Sequence, residues 1–248
     1  MAYTVDLSNR VALVTGGGTG LGKACAEALV QAGATVVLTG RRVDVLEAAA
    51  ADIGAEAVPG DVTDPASIAA VVDTLIERHQ RLDILVNAAG INLRGDSFDY
   101  GVEDWDRVHA VNTRGLFFAC QAAGKLMRHA GYGKIVNIAS MASEIGMPQI
   151  VAYGSSKGGV RQITKGLAVE WAKSGIRVNG IEPGWFRTEL TEPLFHNEAW
   201  LAKIGARIPG GEAGTPGQLG GTVVFLASPM SDYVTGVLIP VDGGALAA

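Results

Sequence analysis

Cysteine is nearly absent from the chain: Cys25 and Cys120 are the only two in 248 residues. Two cannot build a disulfide framework, and neither stands in a C-x-x-C pair or a Cys/His cluster, so both are expected as small core residues of a reducing compartment. Histidine is scarce as well. His79, His109, His129 and His196 stand at no ligand spacing and form no H-E-x-x-H pattern, which argues against a catalytic metal. Only His196, in an apolar insertion near the C-terminus, has a place from which substrate is within reach, and a solvated loop residue is the plainer reading of it. Basic runs are missing: the longest is the pair Arg41-Arg42, and 20 Lys+Arg against 25 Asp+Glu leave a net charge of −5. That excludes the electrostatic footprint of a nucleic-acid binder. No stretch approaches the ~18 apolar residues of a membrane span, and Met1 to Arg10 carries no apolar leader; a cytoplasmic protein is expected.

What the chain has is apolar mass and glycine. Hydrophobic residues make up 48% and charged ones 18%, with mean hydropathy +0.25, enough for a substantial core and far from a disordered composition. Glycine, at 34 residues, is about twice the ~7% average without any collagen period, so individual glycines should have specific backbone work. The length suits one large α/β domain spanning 1–248.

Short, branched apolar runs predict strands at 11–15, 35–39, 82–86, 134–138, 176–181 and 237–241, with a weaker one at 55–59. Four are almost continuously apolar, as strands covered on both faces are. Helical periodicity falls between them, at 20–33, 43–53, 65–80, 103–129, 151–174 and 216–227, and Asp64-Pro65 and Thr215-Pro216 are helix-start signals. Strict β/α alternation demands parallel pairing through right-handed crossovers: one Rossmann-type doubly wound sheet of about seven strands with helices on both faces. The stretch from about 184 to 214 contains Trp185, Phe186, Leu190, Leu194, Phe195, Trp200 and Leu201 but no strand pattern. An apolar insertion of this kind reads as a cover over a substrate.

The first strand runs into Thr15-Gly-Gly-Gly-Thr-Gly-Leu-Gly22 and then a helix. Such a turn lets backbone approach a pyrophosphate while the helix N-terminus offers free N–H groups and positive dipole. A P-loop reading of Gly17 to Lys23 fails at Ala24, where a hydroxyl is needed for Mg²⁺. The spacing present is G-x-x-x-G-x-G at Gly16, Gly20 and Gly22. The second strand ends in Arg41-Arg42 with no carboxylate, so a 2′-phosphate is matched and a bare ribose diol is not; NADP(H) is expected over NAD(H).

Tyr153 and Lys157 are four apart at a helix start and share one face. An ammonium beside a phenol favours the phenolate, bringing Tyr153 toward acid/base range. Ser140, Asn87 to Gly90 and Asp61-Val62 end successive strands at the carboxyl rim, where open α/β sheets bind ligands. Asn112 sits inside an apolar helix and needs partners or an ordered water.

In these motifs, taken in order, the chain resembles the short-chain dehydrogenase/reductase family over essentially its whole length: Thr15-Gly16-x-x-x-Gly20-x-Gly22, Asp61-Val62, Asn87-Ala-Ala-Gly90, Asn112, Ser140, Tyr153-x-x-x-Lys157 and Pro183-Gly184. Within it, the chain looks most like gluconate 5-dehydrogenase-like and 3-oxoacyl-carrier-protein reductase-like members. The resemblance implies hydride transfer between nicotinamide and a carbonyl or alcohol carbon. Tyr153 is then the general acid/base, Ser140 a hydrogen-bond partner of the substrate oxygen, Lys157 the group that lowers the tyrosine pKa and holds the ribose, and Asn112 the holder of a relay water. It implies nucleotide contacts from Gly16, Thr19, Gly20, Leu21 and Gly22, from Arg41, Arg42, Asp61 and Val62, from Asn87, Ala88 and Gly90, and from Pro183, Gly184 and Thr188. It also implies a homotetramer built on the helices at 103–129 and 151–174. The chain departs from the family pattern at Arg207 to Gly214 and at Glu182. Glu182 or Glu144 near the cleft would repel an anionic sugar acid and suit a neutral or cationic ketone, unless they face solvent. Two other classes compete: a cofactor-sensing protein without turnover, and an isomerase or dehydratase that keeps its nicotinamide bound.

Overall fold

The computed structural model describes residues 5–189 and 191–248. Met1 to Thr4 and Leu190 of the apolar insertion lie outside the described residues, as does the side chain of Leu194.

Seven parallel strands form one sheet: β1 (Val11–Thr15), β2 (Thr35–Thr39), β3 (Glu56–Ala57), β4 (Ile84–Asn87), β5 (Gly133–Ile138), β6 (Ile176–Pro183) and β7 (Leu238–Val241). Their order is β3-β2-β1-β4-β5-β6-β7, every pair parallel. Doubly wound α/β architecture is therefore observed. The weak strand expected at 55–59 contracts to two residues on the sheet edge.

Period-two alternation splits the core into two layers. Ala12 and Val14 of β1 pack with helices α1 (Gly20–Gln31), α2 (Val43–Ile53) and α9 (Gly220–Ala227), whereas Val11 and Leu13 face α3 (Pro65–His79), α5 (Leu116–Ala130) and α6 (Val151–Trp171). Cys25 and Cys120 are buried, one in each layer; burial pushes both thiols up to about 12. Asp64 caps α3 as its sequence signal predicts, its carboxylate accepting from the Ala66 N–H at 2.9 Å.

Two expected helices are not single pieces. The one at 103–129 consists of α4 (Val102–His109), a π-helical turn at Ala110–Gly115 and α5. The extra residue in each turn of that segment accompanies an inward-facing polar side chain, Asn112, fully buried. The insertion after β6 folds into the short helices α7 (Glu192–Phe195) and α8 (Glu198–Gly205), tied at its ends by a bridge between Phe186 and Gly214. Among the described residues no helix is long and apolar enough to cross a membrane.

Candidate active site

Strand order reverses between β1 and β4, and the crevice at their carboxyl ends opens into a cleft of about 870 Å³. That volume lies in the upper part of the ~300–1,000 Å³ range of ligand cavities. At one end stands the glycine turn. Gly16 has φ +67°, and a Cβ there would meet the Ala89 Cα at 2.7 Å; a Cβ on Gly22 would strike the Gly16 carbonyl oxygen. The turn between β1 and α1 is thus held against the end of β4 at a distance only glycine permits. Thr19, the residue preceding α1, makes no side-chain cap, and the first turn of α1 holds no acidic residue. Its N–H groups stand at the cleft with positive dipole and no internal anion.

The nucleotide residues named from the sequence gather on this wall: Gly16, Thr19, Gly20, Leu21 and Gly22 all line the cleft, with Asp61, Val62, Ala88 and Gly90 farther along. Arg41 and Arg42 are exposed at its rim, and Arg42 reaches the Thr19 hydroxyl at 3.5 Å. Asp61 is oriented by the Thr63 N–H and hydroxyl, at 2.9 and 2.8 Å. Pro183, Gly184 and Thr188 also line the cleft, with Thr188 against the glycine turn, its Cβ 3.7 Å from where a Cβ on Gly20 would stand. These residues fit a phosphorylated dinucleotide: a cradle a Cβ would fill, an uncapped helix start, and two guanidinium groups at the end of β2 without a competing carboxylate.

Asn87 does not join them. It faces the interior, its Nδ2 donating to Asn137 Oδ1 at 2.9 Å, and Asn137 donates in turn to the Thr164 hydroxyl at 2.9 Å. Strand alternation explains this, since Asn87 and Ala88 point to opposite sides. Asn87 therefore ties β4 to β5 and α6, and Ala88 is the cleft-facing member of the pair.

Ser140, Tyr153 and Lys157 meet in the cleft. Ser140 follows β5 and caps a short 3₁₀ turn, Met141–Ser143, accepting from the Ala142 N–H at 3.1 Å. Lys157 is buried and donates to the Ile138 carbonyl at 2.6 Å, which pins α6 to the end of β5. Its Nζ lies 5.7 Å from the Tyr153 ring centroid. Burial pushes the Lys157 amine down to about 8, so the ammonium still prevails at neutral pH. Burial raises the Tyr153 phenol, opposed by a hydrogen bond with Ser140. Of the influences on the Tyr153 phenol in this structure burial is the largest, ahead of the Ser140 hydrogen bond, and the Lys157 ammonium is engaged with the Ile138 carbonyl.

The Asn112 side chain is committed to protein partners. Its Oδ1 accepts from the Ile91 N–H at 2.8 Å, and its Nδ2 donates to the Ile91 carbonyl at 2.9 Å and the Ser156 hydroxyl at 3.0 Å. Both amide hydrogens are spent, and Asn112 does not line the cleft. It fixes the segment after Gly90 against α6. Neither Glu182 nor Glu144 lines the cleft, which corrects the electrostatic repulsion argued from them. Alternation on β6 turns Glu182 away from the ligand side, and it is 2% exposed. His196 is exposed, 3.7 Å from Glu192.

Some lining residues carried no functional signal. Arg94, Arg207, Asn92 and Gln149 line the cleft. Gln149 holds φ +65°, rare for a side-chain-bearing residue, with its carbonyl accepting from the Gly95 N–H at 3.0 Å. Trp185, Phe186, Phe195 and Trp200 of the insertion line it too.

Residues 16–245 match the family model described as Enoyl-(Acyl carrier protein) reductase. The chain is 39% identical over 244 residues to gluconate 5-dehydrogenase of Gluconobacter oxydans, covering 96% of this chain and 95% of that protein. It is 41% identical over 252 residues to 2-dehydro-3-deoxy-D-gluconate 5-dehydrogenase of Bacillus subtilis, covering 99% of each. A crystal structure of a gluconate 5-dehydrogenase from Burkholderia cenocepacia, in complex with NADP and tartrate, superposes with TM-score 0.95 at 38% identity, covering 99% of this chain and 98% of that one.

Replacing Asn112 by Ala leaves the N–H and carbonyl of Ile91 without their partner and should destabilise the fold by ~2 kcal/mol. Urea unfolding at pH 7 checks this; a loss below ~0.5 kcal/mol would show that water replaces the amide readily.

Proposed function

The chain belongs to the short-chain dehydrogenase/reductase family, and from that premise we propose an NADP(H)-dependent oxidoreductase that moves a hydride between nicotinamide and the carbonyl or carbinol carbon of a small ketone or secondary alcohol. The observation that carries this is the presence of Ser140, Tyr153 and Lys157 in the same cleft as the glycine cradle and the Arg41-Arg42 rim.

The bound nicotinamide supplies the two-electron chemistry; the chain supplies placement and proton control. In the reducing direction Tyr153 gives its hydroxyl proton to the substrate oxygen, and in the oxidising direction it takes that proton back. Ser140 hydrogen-bonds the same oxygen and orients the phenol. Lys157 has three donors and spends one on Ile138, leaving two for the ribose and for charge stabilisation beside Tyr153. Asn112 positions this group from behind through Ile91 and Ser156. The remaining expected residues, Gly16 to Gly22, Arg41, Arg42, Asp61, Val62, Ala88, Gly90, Pro183, Gly184 and Thr188, hold the nucleotide, and the 184–214 segment covers the substrate.

For the substrate we infer a small hydroxylated acid. Arg94 and Arg207 line the cleft, and neither meets a carboxylate among the described residues; a guanidinium fork matches a substrate carboxylate. The sugar-acid names of the relatives support the same class. A homotetramer in the cytoplasm completes the reading. It is supported by the two buried free thiols and by the exposed apolar side chains Val102, Trp105 and Val151, which line one hollow between α4 and the start of α6.

Tyr153→Phe should keep NADPH affinity within about twofold and lose at least ~10³ in kcat with keto-acid substrates, since one proton-transfer group is worth ~10²–10⁴; NADPH absorbance follows the loss, and retention of more than a few per cent of turnover would remove Tyr153 from the acid/base role. Arg41→Ala should cut the preference for NADPH over NADH by about tenfold or more, the value of one good charge-assisted contact. An unchanged ratio of kcat/KM for the two cofactors would refute the phosphate clamp.

A further inference from the structure

Glu182 is a buried carboxyl that the hydride-transfer reading does not use. It precedes Pro183 and Gly184, which line the cleft, at the end of β6. It is 2% exposed, and its Oε1 has no hydrogen-bond partner. On the face it shares with α6, its carboxyl lies within hydrogen-bonding reach of Glu144. Glu144 directly follows the 3₁₀ turn capped by Ser140, and its Oε1 stands 2.8 Å from Arg161 Nε, an ion pair off the line of a hydrogen bond. Arg161 lies one turn beyond Lys157 on α6. Three carriers of the site thus meet beneath it: the strand end bearing Pro183 and Gly184, the turn bearing Ser140, and the helix bearing Tyr153 and Lys157.

Two carboxyl groups this close cannot both ionise at low cost, and a hydrogen bond between them needs one to keep its proton. Burial first, then the charge of Glu144, pushes Glu182 up to about 7; Arg161 and Lys165 of α6 pull the other way. The neighbouring strand β7, Leu238–Val241, presents no titratable side chain, so Glu144, Arg161 and Lys165 are the charged groups that face it.

We propose that Glu182 is a positioning residue: a proton-bearing carboxyl that clamps the end of β6 to the Ser140 turn and, through Glu144 and Arg161, to α6, and that loosens the cleft when it gives up its proton. The proposal rests on the oxidoreductase reading for its importance, but the clamp acts on nucleotide binding whether or not turnover follows. The sign of the pH effect is fixed. Below pH ~7 the clamp holds and above it the clamp opens, because the folded state keeps a proton that the unfolded chain has already lost. Stability contributed by Glu182 therefore declines as pH rises from the ordinary carboxyl range through about 7.

The experiment compares full-length wild type, Glu182→Gln and Glu182→Ala for NADPH dissociation constant by cofactor fluorescence, thermal midpoint, and kcat and KM, each at pH 6 and at pH 7.5, below the value of about 8 at which Lys157 itself loses its charge. Wild type should bind NADPH about fourfold more weakly at the higher pH, as the protonated fraction of a carboxyl titrating at about 7 falls from about nine-tenths to about a quarter. Glutamine keeps a donor to Glu144 but cannot ionise, so Glu182→Gln should bind like wild type at pH 6 and lose most of the pH dependence of both affinity and midpoint. Glu182→Ala should bind weakly at both values. The proposal is overturned if the Gln variant keeps the wild-type pH dependence, if it is as weak as the Ala variant at pH 6, or if Ala binds like wild type throughout. A wild type that binds NADPH yet turns over no carbonyl substrate defeats the oxidoreductase reading alone, and the binding arms still decide the clamp.

Discussion

Parallel pairing of β1 with β4, Ala12 opposite Ile84 and Thr15 opposite Asn87, is the constraint on which the rest of the molecule depends. The pairing brings the turn after β1 against the backbone after β4 and leaves room for no side chain at Gly16. It also creates the reversal of strand order at which helices diverge to opposite faces and a crevice must open. The glycine turn and the Arg41-Arg42 pair stand on the β1–β2 side of that reversal, Ser140, Tyr153 and Lys157 on the β5 side, and Pro183 and Gly184 come in from the end of β6. The cleft is where two halves of one sheet face each other across a gap that no helix fills.

Buried polar groups then lock the catalytic half to the sheet. Lys157 to the Ile138 carbonyl, Asn112 to both backbone groups of Ile91, and the chain Asn87–Asn137–Thr164 each join elements distant in sequence. In a low-dielectric interior such bonds are costly to break, because the groups left behind cannot find water. Their function is one of register: they fix where α6 lies along β5, and so where Tyr153 stands relative to the cradle. Burial raises the tyrosine phenol and so keeps it protonated at neutral pH, a state suited to proton donation.

Much of this was legible in the sequence for identifiable reasons. Strands β1, β2, β4, β5 and β6 are buried on both faces and so read as nearly unbroken apolar runs, and Asp64-Pro65 announces α3 through local chemistry alone. The glycine turn was legible because its φ and its close approach to Ala89 are demands that only glycine meets. Other features depend on contacts across the chain and leave no local trace. The π-helical turn at Asn112 answers to Ile91 and Ser156, and 3.6-residue periodicity passes through it unchanged. Glu182 looks like a surface charge at a strand end until its partners Glu144 and Arg161 are in place. Asn87 stands at the rim that its strand end marks, yet its side chain turns to the interior, since a single residue of register reverses the face. Arg94, Gln149 and Arg207 belong to loops, where neither period nor capping speaks.

If the proton-moving residues and the nucleotide cradle serve one hydride transfer, an isotope carried on the cofactor must arrive on the product. With NADPH carrying deuterium at nicotinamide C4 on the transferred face and a keto-acid substrate, mass spectrometry of the product should show one deuterium on the new carbinol carbon, in step with oxidation of the cofactor. Product that forms without label while the cofactor stays reduced would rule out that transfer and assign the cleft to isomerisation or elimination.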